Sequence, residues 1–149
     1  MKGYLMLVTG AVLAAVLISA GCISGSGNSP GVVITTPQDK ATLTGSNVTL
    51  NIQISNFVIT AESMDMTSMQ GIQNEAGTGH IHWFIDVPVP TDPGRKAETA
   101  DNTWKMHDDT SFTWQNVPPG THNLSVELVN NDMTPFSPAV YQTITVTVK

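Results

Sequence analysis

This chain is marked first by what it lacks. It has one cysteine, so no internal disulfide can staple it. Lys and Arg number 6 against 12 Asp and Glu, for a net charge of −6. The few cations form no basic run and do not interleave with aromatic residues, which argues against a nucleic-acid partner. G-x-S-x-G, H-E-x-x-H and the P-loop are all absent. Carboxylates are scattered. Asp108 and Asp109 are neighbours, and in an extended chain neighbours point apart. Nothing here argues for an enzyme. Helical periodicity is missing too, which turns attention to strands.

The N-terminus carries an address. Lys2 precedes the apolar run "LMLVTGAVLAAVLISA", which ends in "SAGC" at Cys22. A run this short, with small residues before the break, reads as a signal peptide over 1–21 rather than a membrane span. "SAGC" resembles a prokaryotic lipobox, with Ser19 where Leu is commoner. That resemblance implies cleavage before Cys22 and lipid on its sulfur. "ISGSGNSPG" then makes residues 22–31 a flexible Gly/Ser tether. It holds no polybasic patch, so attachment to the membrane, facing outside the cytoplasm, rests on the lipid.

Residues 32–149 read as one all-β domain. Alternation of period two recurs between turn signals. "NVTLNIQIS" turns Val48, Leu50, Ile52 and Ile54 one way. "HIHWFIDV" turns Ile81, Trp83, Ile85 and Val87 together. "HNLSVELV" aligns Leu124, Val126 and Leu128, and "YQTITVTVK" aligns Ile144, Val146 and Val148. "GVVITTP" and "TSFTWQNV" add strands, and a weaker one lies near 103–106. One-sided strands of this kind imply an immunoglobulin-like antiparallel β-sandwich of about seven strands. The segment 56–78 is long for a loop; part of it is expected to continue the sheet and part to form a mobile cover over one end.

"GHIHWFIDV" carries the sharpest chemical question. In a strand His80 and His82 share a face, with Phe84 and Asp86 further along it. Two imidazoles so placed can converge on one ion. Met133, or Met106 with His107, would complete a soft set, and copper is the first metal to consider. Met64, Met66 and Met69 lie in the segment leading to the strand. Asp86 would orient an imidazole from behind. His122 shares parity with Leu124 and Val126, which predicts packing at the sandwich edge and a backbone hydrogen bond. The plainer reading makes the His pair polar decoration on a wet sheet face, and His107 an exposed turn residue. Asn47 and Asn123 open the sequons Asn-Val-Thr and Asn-Leu-Ser, candidates for glycosylation.

The stretches "GHIHWFIDV", "TSFTWQNVPPGTH" and "VELVNNDMTPFSP" resemble a family of small secreted or lipid-anchored prokaryotic domains of unknown function, over about residues 33–149. The resemblance marks His80, His82, His122 and Met133, the last at a position where the family often has histidine. It implies the fold and brings no activity. The expectation is a lipid-anchored Ig-like binding module for an envelope or extracellular protein partner. The first alternative is an extracytoplasmic copper-binding module using His80 and His82 with Met or His ligands, and an enzyme stands third, well behind.

Overall fold

A computed structural model describes residues 29–60 and 73–149. The expected signal peptide, Cys22 and residues 23–28 of the tether lie outside the described residues, as do Met64, Met66 and Met69. Among the described residues there is no helix, and so none long and apolar enough to cross a membrane.

The described residues form nine strands in chain order: β1 Gly31–Thr36, β2 Thr42–Leu43, β3 Val48–Ser55, β4 Val58–Ile59, β5 Thr78–Ile85, β6 Trp104–Met106, β7 Ser111–Trp114, β8 Gly120–Val129 and β9 Pro135–Val148. β1, β3 and β7 make a small antiparallel sheet. The second sheet runs β2-β9-β8-β5-β4, with β6 also paired to β5. Its backbone is the antiparallel β8–β9 hairpin with β5 alongside. The protein is thus an all-β sandwich, with nine strands among the described residues rather than about seven. The additions are the two-residue β2 and β4, which pair parallel to β9 and β5. β1 begins at Gly31, one residue inside the expected tether. β4 confirms that the start of segment 56–78 continues the sheet.

The alternation places the core where the sequence expects it. Val48, Leu50 and Ile52 face Ile81, Trp83, Leu124, Val126, Leu128, Ile144, Val146 and Val148 across the sandwich. Trp83 is fully buried and stacks on Phe112 of the opposite sheet, with ring centroids 5.5 Å apart. A buried aromatic of this size contributes a large share of the apolar burial that drives folding.

The outer face of the large sheet departs from expectation. Phe84, Ala97 and Val129 form a second buried cluster, with Val87, Val89 and Trp104 against it. The connection from β5 to β6 folds back over this face. The strand face that alternation assigns to water is therefore dry around His82.

Candidate functional site

The register of three strands builds the site. His82 is the ladder partner of Met106 on β6 and of Glu127 on β8. Ladder partners share a face with their Cβ atoms about 4.5–5.5 Å apart. Met106, His82 and Glu127 thus form one row across the sheet. His80 stands two residues up β5, opposite Val129. Gly79 permits this approach. Its φ is 153°, and a Cβ there would lie 1.8 Å from the Val129 carbonyl oxygen.

His82 is fully buried, between Trp104 at 4.9 Å and Phe84 at 6.2 Å by ring centroids. Its Nδ1 lies 2.7 Å from the Ala97 carbonyl oxygen. A carbonyl only accepts, so Nδ1 carries the proton and Nε2 the lone pair. Nε2 is buried without a hydrogen-bond partner. Burial lowers the His82 pKa to about 4, against the Ala97 bond that raises it, with the nearby His80 lowering it further. The imidazole is neutral at pH 7.

Glu127 is the residue that sequence reasoning missed. It is fully buried, and neither carboxyl oxygen has a hydrogen-bond partner. Burial pushes its pKa up to about 8, so it too is neutral at pH 7. His80 Nδ1 is likewise buried and unpartnered. Four orphaned polar atoms on three neighbouring side chains are unusual in a protein interior, where such groups are normally paired.

Met133 joins the neighbourhood through its backbone. Its carbonyl accepts from Ala97 N–H at 2.8 Å, while the Ala97 carbonyl accepts from His82 Nδ1–H. The Met133 side chain is buried and its φ is 67°. Asp132 pins this turn by accepting from both the N–H and the hydroxyl of Thr134.

Other expected site residues lie elsewhere. His107 is on the opposite face of β5–β6, packed edge-on against Phe112 at 5.7 Å, and its Nδ1 accepts from Asp109 N–H. Asp86 does orient an imidazole, but that of His122 rather than His80 or His82. His122 Nδ1 lies 2.7 Å from Asp86 Oδ2, and Nε2 lies 2.8 Å from the Pro118 carbonyl. Both ring nitrogens face acceptors, so the ring is an imidazolium. Burial would lower the His122 pKa, but the bonds to Asp86 and Pro118 and the Asp86 charge together raise it. The backbone bond expected of His122 is the one to the Pro118 carbonyl. Asn47 and Asn123 are both exposed.

Among the described residues no three His, Cys, Asp or Glu side chains are grouped as a metal site.

The family model for DUF4399, a domain of unknown function, matches residues 58–149. The chain belongs to the DUF4399 family. That match spans the whole of the row and the His122–Asp86 pair. No curated protein matches the chain. Among solved structures, it is similar to the fibronectin(III)-like modules of Clostridium thermocellum CbhA, at 14% identity and a TM-score of 0.45. That alignment covers 81% of this chain and 47% of the other. An engineered protein is similar at 10% identity and a TM-score of 0.41, over 81% of this chain and 20% of that one.

Proposed function

We propose that this DUF4399 protein is a binding module rather than an enzyme, tethered outside the cytoplasm through lipid on Cys22, and that its ligand is a copper ion. One observation carries the metal reading. His82 has its Nδ1 proton fixed on a backbone carbonyl and a free lone pair on a buried Nε2. Histidine ligands of metals are held in this way, with the second nitrogen donating to a carbonyl. His80 supplies the second imidazole from the same face.

The donor chemistry favours copper over zinc. A structural zinc site takes four nitrogen, thiolate or carboxylate ligands. Here His82 is flanked in the row by a thioether, Met106, and by the Glu127 carboxyl, which keeps its proton at pH 7, with Met133 at the far side of Ala97. Thioether and imidazole together suit Cu(I). His82 and Glu127 are neutral at pH 7. A dry setting built from such groups takes a monovalent cation at a smaller desolvation cost than a divalent one.

Titration of the purified protein with Cu(I) under reducing conditions, and with Cu(II) in air, tests this reading. Stoichiometric Cu(I) binding is expected, weakened by roughly a hundredfold or more in a His80→Ala/His82→Ala variant that keeps its far-UV spectrum. Met106→Leu should weaken Cu(I) more than Cu(II). Absence of binding, or binding that the double variant retains, would sink the copper reading and leave the row as a buried polar defect.

A further inference from the structure

A second feature stands beside the row on the same face, where Tyr141 on β9 is the ladder partner of Glu127. Tyr141 is 49% exposed, one of three exposed large hydrophobic residues among the described ones. It overlooks an open cleft of about 520 Å³ lined by Asp86, Val89, Asn123, Ser125 and Thr143. That volume falls within the ~300–1,000 Å³ range of small-ligand sites.

The cleft wall sets polar side chains beside the apolar Val87, Pro88 and Val89, and it holds no lysine or arginine. Ser125 Oγ and Thr143 Oγ1 are 2.7 Å apart, and Thr145 Oγ1 donates to Asn123 Oδ1 at 2.9 Å. With Oδ1 engaged by Thr145, the two Asn123 Nδ2 donors are left for another acceptor. The Asp86 carboxylate accepts from Asn123 N–H and from the His122 imidazolium, so its charge is balanced inside the protein. Each of its oxygens keeps a further lone pair.

These features select a ligand chemistry. An anion finds no cation in the cleft, and the protein as a whole carries −6. A cation finds only a carboxylate already paired. What remains complementary is a neutral polyol with one apolar face. Its hydroxyls would meet the amide, hydroxyls and carboxylate lone pairs, and its C–H face would lie on an aromatic ring, the amphipathic recognition at which tyrosine excels. We infer that the Tyr141 cleft is a binding site for a neutral carbohydrate chain, with Tyr141 as its stacking platform and Asn123 and Thr143 as its hydrogen-bonding wall. The cleft flanks the row, but none of His80, His82, Met106 or Met133 lines it, so it does not rest on the copper reading.

The test is NMR titration of the whole protein with cellohexaose, maltohexaose and chitohexaose, with a hyaluronan hexasaccharide as the anionic probe. At least one neutral oligosaccharide should shift the amides of Asn123, Tyr141 and Thr143. Tyr141→Ala, a surface change, should weaken that binding by about tenfold or more. Tyr141→Phe keeps the ring and should keep the binding, and His80→Ala/His82→Ala should leave it unchanged. The inference is overturned if no neutral oligosaccharide binds, if only the anion binds, or if Tyr141→Ala binds as the native protein does.

Discussion

Glu127 shows what one residue can carry unnoticed. On β8 it sits between Val126 and Leu128, which enter the sandwich core, so parity turns its carboxyl to the outer face. A glutamate on an outer face is ordinary. Here that face is covered, and the carboxyl finds no partner. A carboxylate in that position would be unpaired and dry, so the group holds its proton to about pH 8. Glu127→Gln removes the ionisation and keeps the shape. At pH 8 in the metal-free protein the variant should be more stable by roughly 4 kcal/mol, and at pH 5 by about 1 kcal/mol or less. Urea unfolding at the two pH values measures this. A variant that loses stability at pH 8 would mean that the carboxylate has a partner after all.

At the scale of elements, alternation made most of the fold legible. β3, β5, β8 and β9 each bury one parity, and the apolar residues of "VTLNIQIS" and "HIHWFI" fall where period two puts them. β2 and β4 are two residues long, too short to show any period. The site was half legible. His80 and His82 could be placed on one face, because that follows from strand geometry alone. Two things could not be read. Register is a long-range property, so nothing local announces that Glu127 stands beside His82. Alternation also tells which face a residue takes, not whether another segment covers it. The one local hint of a cover was the apolar content of 87–97, where Val87, Val89 and Ala97 now pack on Phe84. The close approach of β5 to β8 depends on Gly79. Gly79→Ala would force a methyl group into the Val129 carbonyl. It should cost ~3 kcal/mol or more in urea unfolding and disturb His80 and His82 together. A loss under about 0.5 kcal/mol would show that the two strands can separate there without penalty.

For the whole molecule, the buried titratable groups set opposing pH limits on the metal-free fold. Glu127 is raised from 4.5 to about 8. The native state keeps a proton that the unfolded chain releases in that window, so stability falls as pH rises through it. His122 is also raised, from 6.5. Its contribution is complete below 6.5 and is lost as pH climbs through its folded value. His82 acts oppositely. Lowered from 6.5 to about 4, it makes the unfolded chain the better proton binder, and stability falls as pH drops through that range. Asp132, lowered from 3.8 because the Thr134 and Asn74 hydrogen bonds together outweigh its burial, adds a further loss in stronger acid. Between pH 4.5 and 6.5 the Glu127 and His82 slopes cancel. The urea midpoint should therefore be flat across that interval and fall on both sides, with two groups driving the alkaline decline. Glu127→Gln should make the alkaline arm shallower, and a further His122→Gln should remove most of what is left. A native midpoint that climbs from pH 6.5 to 8 would contradict both assignments, because each requires the folded protein to hold the extra proton there.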